Sequence, residues 1–201
     1  TALRLAGIET PLCSRFEAVK FQVLYVGEPT KRSGREDTSY LKCPPSLTGI
    51  AHLTWTHDNI TIVYTHPLMT WALLAPYLTQ IEVIVLADAI LRASSGSMTV
   101  ANISRFLDGA DAFPGRRKCI DALVFLDAMT DSTMECRCTL VMLRHGLPQP
   151  VKHWKILIPE LAHEATVDIA YPKQRVIIEY DGDAHRRDKR QYRWDERKRQ
   201  A

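Results

Sequence analysis

The chain has 201 residues, enough for one large domain or two small ones, and 46% of them are apolar, so an ordinary core can form. The longest apolar stretches, such as 83–91, are too short to cross a bilayer, so we expect no membrane span. Residues 1–12 lack the basic start and apolar run of a secretory signal. Five irregularly spaced cysteines without a CxxC pair argue against a zinc knuckle and predict reduced thiols in a cytoplasmic protein.

The net charge of +3 conceals an uneven distribution along the chain. Residues 186–201 hold eight Lys or Arg and three acids, a balance of +5, whereas the rest of the chain sums to −2. Basic charge concentrated in one segment predicts a local contact with an anion rather than a generally basic protein.

Residues 1–115 predict an α+β accessory region whose role the sequence does not reveal. Strands are expected where β-branched and aromatic residues concentrate, and helices where apolar residues follow a helical period. The predicted strands are 21–27 and 60–67, the predicted helices are 70–78, 81–93 and 97–107, and 28–48 is predicted to be a loop.

Asp111, Pro114 and Gly115 mark a loop, after which the predicted order is α-α-β-β-β-α. The Ser132 to Glu135 pattern is a capping box that opens the second helix, and Gly146 ends that helix. The predicted helices are 116–129 and 132–145, the predicted strands are 153–158, 165–171 and 175–181, and a basic helix follows from about 188.

The second and third of these strands form a hairpin that carries acids. A link centred in 172–175 places Asp168 directly opposite Glu179, and strand alternation puts Asp181 on the same face. The opposite face is apolar and is the predicted core face: Val167, Ile169, Tyr171, Val176, Ile178 and Tyr180. Directly opposed carboxylates cost up to about 1 kcal/mol, which a bound divalent cation such as Mg²⁺ or Mn²⁺ would offset. A solvated strand face with scattered acids is the alternative.

His185 follows a turn at Gly182 and is a candidate general acid or base, or an ordinary surface histidine. Glu135 is either only a helix cap or a functional carboxylate. The basic segment interleaves aromatic residues with cations, which favours nucleic-acid contact, although a solvated helix with an inward aromatic has the same pattern. The candidate nucleic-acid-binding residues are Arg186, Arg187, Lys189, Arg190 and Arg193.

Residues 167–185, VDIAYPKQRVIIEYDGDAH, with the Arg-rich helix after them, resemble a bacterial family of predicted endonucleases. Its signature is an Asp in one strand, then I-E-x-D-G-x-x-H, then an Asp and an Arg in a helix. The family is similar to the very-short-patch repair (Vsr) endonuclease of the PD-(D/E)XK, or restriction-endonuclease-like, superfamily. Residues 66–92 and 134–150 also resemble parts of its larger members, whose N-terminal region resembles an abortive-infection antitoxin.

The resemblance implies a role for each matching residue. Asp168 and Glu179 would be the ligands of Mg²⁺ or Mn²⁺, and His185 would assist proton transfer. Asp181 stands where many superfamily members have a catalytic lysine, and Glu135 stands where a helix glutamate lies near the metal.

The expected fold class is α/β (α+β). A nuclease domain of 116–201 with a restriction-endonuclease-like αβββα core would lack its final strand and so be truncated at its C-terminus. The leading hypothesis is a metal-dependent DNA endonuclease. The alternatives are a catalytically inert, antitoxin-like DNA-binding regulator and a plain interaction domain, and homodimerisation stays open.

Overall fold

A computed structural model of the chain describes six stretches of residues: 2–13, 21–27, 37–49, 52–126, 130–158 and 163–180. These contain six α-helices and seven β-strands in three small sheets, so the protein is mixed α and β. The chain divides into two compact units, Thr1–Ala128 and Met129–Ala201. Within the described stretches, no helix combines the length and apolar character needed to cross a membrane.

The first unit contains five helices and four strands in its described part. In chain order they are α1 (Ala2–Leu5), β1 (Phe21–Tyr25), β2 (Thr38–Lys42), β3 (His52–His57), β4 (Ile60–Thr65), α2 (Pro67–Leu74), α3 (Gln80–Ala93), α4 (Val100–Gly109) and α5 (Arg116–Ala122). Strands β1 and β2 pair in parallel, and β3 and β4 form an antiparallel hairpin. The β3–β4 turn has positive φ at both Asp58 and Asn59, as a two-residue type I′ turn requires.

The core of this unit centres on α2 and α3, which pack on each other. Every residue of α2 is buried, as expected of a helix that is apolar all round. The indole N–H of Trp71 donates to the Val83 carbonyl at 2.8 Å, which satisfies its polar atom inside the core. A 3-10 turn at Ala75–Tyr77 and a Thr79 cap separate the two helices, so the predicted break between them is confirmed.

Several elements differ from the sequence predictions. Strand β2 lies inside the predicted loop of 28–48, and α1 and β3 were not predicted. Each is short, so its periodic signal is weak. Helix α4 starts later than predicted because Thr99 and Asn102 form a reciprocal capping box. Helix α5 ends at Ala122 and continues as a 3-10 turn, Leu123–Phe125.

Helix α5 belongs to the first unit, although the sequence groups its residues with the nuclease domain. It packs on α3, and the Lys118 ammonium donates to the Leu78 carbonyl at 2.7 Å. Gln80 in turn donates to the Lys118 carbonyl at 3.0 Å. The division between the units therefore falls at 128/129, after this helix rather than before it.

The second unit contains, in its described part, α6 (Thr133–Arg144), β5 (Val151–Ile158), β6 (His163–Tyr171) and β7 (Val176–Ile178). The strands form an antiparallel sheet in the order β5-β6-β7. The predicted ends of α6 are confirmed, with Ser132 as N-cap and Gly146 at φ 82 just past the C-cap. The Tyr171 hydroxyl donates to the Pro148 carbonyl at 3.0 Å.

The predicted core face of the hairpin is confirmed for β6 and only partly for β7. Val167, Ile169 and Tyr171 are buried. Val176 and Tyr180 are instead 43% and 39% exposed; Val176 lies in β7, the outer strand of the described sheet, and Tyr180 lies beyond the end of that strand. The core contribution of the hairpin therefore comes mainly from β6.

Candidate functional site

The register of the β6–β7 hairpin brings two predicted site residues to opposite positions. The pairs are Tyr171↔Val176, Ala170↔Ile177 and Ile169↔Ile178, and 172–175 form the connecting link. The next positions outward are Asp168 and Glu179. Continuing the same register one step beyond the last paired residues would set these two acids opposite each other, so the register agrees with the prediction although the strand pairing ends before it.

Asp168 is held in place by a backbone group of the opposite chain segment. Its carboxylate oxygen accepts a hydrogen bond from the Tyr180 N–H at 3.0 Å, so the side chain ties the end of the hairpin together. Asp168 is half-buried and Glu179 is exposed. An ionised carboxylate has about four acceptor positions, so Asp168 retains capacity for a cation or a water.

The remaining predicted site residues lie outside the stretches that the structure describes. These are Asp181, His185 and the predicted nucleic-acid-binding residues Arg186, Arg187, Lys189, Arg190 and Arg193. Of the predicted site, the structure thus places only Glu135, Asp168 and Glu179.

Glu135 is buried in the first turn of α6 and takes part in its N-cap, but its carboxylate accepts the Asp131 N–H in place of the Ser132 N–H that the predicted capping box requires. Its carboxylate accepts the Asp131 N–H and the Ser132 hydroxyl, both at 2.8 Å. The Ser132 oxygen accepts the Glu135 N–H at 3.1 Å in return. Glu135 therefore has a structural role at the helix terminus, and hydrogen bonds hold both of its carboxylate oxygens in place.

A second group of side chains meets at this helix terminus. The ligand atoms of Asp131, Glu135 and His153 all lie within 4.8 Å of one another. Elsewhere in the described stretches, no other set of three His, Cys, Asp or Glu side chains comes this close. The structure thus groups Glu135 with Asp131 and His153, and neither Asp168 nor Glu179 belongs to the group.

Sequence reasoning missed Asp131 and His153. Asp131 directly precedes the capping box, which is the one local signal that this position lies at a helix start. His153 lies in β5, VKHWKILI, where the sequence shows no regular alternation that would mark a site residue. No spacing rule relates a helix terminus to a residue in a strand, so only the packing of α6 reveals the group.

Three cysteines offer no reactive thiol to either group. Burial raises the pKa of Cys43 and Cys138 above the usual thiol value. Burial also raises the pKa of Cys119, to about 12, against the smaller opposing effect of Lys118 and Arg116. These thiols stay protonated near neutral pH, and the thiolate is the form that attacks or binds metal.

Comparisons with protein-family models, curated proteins and solved structures found no match to this chain. Function must therefore be inferred from the side chains themselves and from their geometry.

Proposed function

We propose that the chain is a metal-dependent nuclease that hydrolyses phosphodiester bonds in DNA, with Asp168 and Glu179 as ligands of Mg²⁺ or Mn²⁺. The observation that carries this proposal is the hairpin register, which, continued one step past the last paired residues, sets the two acids opposite each other. Like charges in this arrangement destabilise a strand pair, and a divalent cation removes that cost. Carboxylates on adjacent strands suit Mg²⁺, which takes one or two of them and keeps waters and phosphate as its other ligands.

The order of elements in the second unit supports the same proposal. Helix α6 is followed by three antiparallel strands, β5, β6 and β7. This order agrees with the first four elements of the restriction-endonuclease-like αβββα core that the resemblance implies. The proposed fifth element, the basic helix after 185, lies outside the described stretches.

The proposed division of labour follows from the chemistry of each residue. Asp168, oriented by the Tyr180 N–H, and Glu179 would hold the cation at the end of the hairpin. A bound divalent ion polarises the phosphodiester and lowers the pKa of the attacking water. His185 would move a proton to or from the reacting oxygens. The basic segment from Arg186 would neutralise backbone phosphates.

Cleavage of DNA by the full chain with Mg²⁺ or Mn²⁺ tests the proposal. We expect Asp168→Asn and Glu179→Gln each to lower the cleavage rate by more than about 100-fold. Mutation of residues that only hydrogen-bond to metal ligands already lowers metal affinity or activity by about 10- to 100-fold, and loss of a ligand itself should cost more. Calorimetric binding of Mn²⁺ should weaken in parallel.

Glu164→Gln is the matched control for this experiment. Glu164 is an exposed acid of the same strand, 3.0 Å from the Lys155 ammonium, and its neutralisation should leave the rate unchanged. Failure of the wild-type chain to cleave any DNA form with either ion would contradict the proposal.

A catalytically inert DNA-binding regulator is the second candidate function, favoured by one observation. By the resemblance, Asp181 stands where many superfamily members have a catalytic lysine, so the cation that usually helps to activate water would be missing. This function predicts DNA binding that needs no metal and persists in Asp168→Asn. An inert regulator cleaves no DNA even as the wild-type chain, whereas the nuclease proposal predicts wild-type cleavage that Asp168→Asn loses, so the wild-type assay distinguishes the two functions.

A further inference from the structure

We propose a second metal site, in which His153, Asp131 and Glu135 bind a divalent transition ion such as Zn²⁺ and join the start of α6 to β5. This site shares no ligand with the Asp168 and Glu179 pair and does not depend on the proposed nuclease function, although His153 falls at the register position opposite Asp168 on the neighbouring strand.

The spacing of His153 and Asp131 is that of two ligands of one ion. The His153 Nε2 and an Asp131 carboxylate oxygen are 3.5 Å apart, and His153 Nε2 has no hydrogen-bond partner. Two ligand atoms of a tetrahedral zinc, each about 2.1 Å from the metal, lie about 3.4 Å apart. The contact is therefore too long for a hydrogen bond and close to the separation expected of co-ligands.

The burial of His153 Nε2 supports a bound ligand at this point. The atom is shielded from solvent although the side chain as a whole is 29% exposed. A polar atom that loses water without gaining a partner destabilises the fold, so such atoms call for a cause. Coordination by Nε2 would supply the missing partner, and the neutral imidazole is the metal-binding form.

A second unpartnered polar atom lies along the same helix face. The buried Thr139 hydroxyl has no hydrogen-bond partner, and Thr139 is one turn after Glu135. Side chains of a helix tilt toward its N-terminus, so the Thr139 side chain leans toward the Glu135 turn. The described stretches contain three buried side-chain polar atoms without a hydrogen-bond partner. One of them, His153 Nε2, belongs to the cluster, and another, Thr139 Oγ1, lies one helical turn from Glu135.

Glu135 is arranged as an oriented ligand. The Asp131 N–H and the Ser132 hydroxyl each bond one of its carboxylate oxygens. Outer hydrogen bonds of this kind are what orient metal-binding carboxylates, and each oxygen keeps a further lone pair. The same cap that starts α6 would therefore also hold a ligand in position.

The mixture of ligand types selects the ion. One imidazole nitrogen and two carboxylates suit Zn²⁺ or Mn²⁺, whereas Mg²⁺ and Ca²⁺ prefer oxygen ligands alone. Three protein ligands leave at least one position for water. The positive end of the α6 dipole opposes a cation here, and the two carboxylates outweigh it, because the dipole end amounts to about half a charge.

Calorimetric titration of the full chain with Zn²⁺ tests the site. We expect His153→Gln to weaken binding by at least about 100-fold and Asp131→Asn by at least about 10-fold. Asp131 is 79% exposed, so its variant should fold, as circular dichroism can verify. His145→Gln is the control, because this exposed histidine lies at the other end of α6 and should not contribute.

Co²⁺ provides an independent readout, since its visible absorption reports the ligand geometry. The wild-type chain should show tetrahedral Co²⁺ bands that His153→Gln abolishes and His145→Gln retains. Zinc affinity and cobalt bands that are the same in His153→Gln and the wild type would overturn the site.

The double variant Asp168→Asn/Glu179→Gln separates this inference from the proposed function. It should keep the Zn²⁺ site while losing DNA cleavage. If it abolishes Zn²⁺ binding while His153→Gln does not, the second site is wrong and the nuclease proposal is untouched. If His153→Gln loses Zn²⁺ but no form of the chain cleaves DNA, the second site stands without the nuclease.

Discussion

At the residue scale, Gly115 has a position that no other residue can occupy without strain. Its φ is +85°, and a Cβ there would lie 2.8 Å from the Pro76 nitrogen and 2.9 Å from the Ala75 Cβ. The left-handed conformation costs about 1–2 kcal/mol for a residue with a side chain, and overpacking against backbone costs about 1–3 kcal/mol. We therefore expect Gly115→Ala to lower the free energy of unfolding by about 2–5 kcal/mol in chemical denaturation.

Gly96→Ala isolates the cost of the close contact. Gly96 has a nearly identical φ of +86°, and a Cβ there would meet nothing within 4 Å. Its substitution should cost only the conformational part, about 1–2 kcal/mol. If both variants lose the same free energy of unfolding, the close contact between Gly115 and Pro76 does not contribute to the cost.

The contacts of individual residues explain why Ser132 was predicted from the sequence and why Asp131 and His153 were not. Ser132 acts on a residue three positions away, and local capping chemistry has a sequence signature. His153 meets Asp131 across two elements, so nothing in the neighbouring sequence identifies the pair.

At the element scale, α2 has an imidazole as its N-cap. The His66 Nδ1 accepts the Leu68 N–H at 3.2 Å, which requires the unprotonated nitrogen. Burial lowers the pKa of His66 below its usual 6.5. The unfolded chain therefore binds the proton more readily, so the stabilisation is present above pH 6.5 and is lost as the pH falls through the folded-state pKa.

We expect the stability of the first unit to fall on acidification below pH 6.5, by up to about 1 kcal/mol from this cap. His66→Asn keeps a capping acceptor that does not titrate, so its stability should lack this part of the pH dependence. Denaturant titrations at pH 7.5 and 5.0 measure the difference. An equal pH dependence in both proteins would refute the role of His66.

The β6–β7 hairpin shows how far pattern alone predicts an element. Its register follows from the four-residue link and the two-residue period, both of which are local properties. The exposure of Val176 and Tyr180 was not predicted, because apolar side chains are buried only where another element covers them.

At the scale of the whole molecule, the charge distribution defines the proposed DNA contact. The basic residues of 186–201 give that segment a charge of +5, in a chain of net charge +3. The logarithm of DNA affinity should fall with the logarithm of salt concentration, by about 0.9 per phosphate neutralised. We expect the combined change of Arg186, Arg187 and Arg190 to Gln to reduce that slope by about 2–3.

A charge-matched triple variant controls for net charge. Arg4, Arg105 and Arg117 are exposed arginines of the first unit, and changing them to Gln removes the same three charges. Binding assays over a range of salt should show the wild-type slope for this variant. Equal slopes in the two triple variants would show that the basic segment is not the DNA contact.

Local chemistry in the sequence was sufficient for helix α6 with both of its ends and for the register of the β6–β7 hairpin. Capping residues, glycines and strand alternation act over a few positions, so the structure that they produce can be predicted from neighbouring residues. The assignment of α5 to the first unit and the meeting of Asp131, Glu135 and His153 came only from the folded chain. Both of these features depend on which surfaces pack together. Packing brings together residues that are distant in sequence, and such contacts leave no periodic pattern in the sequence.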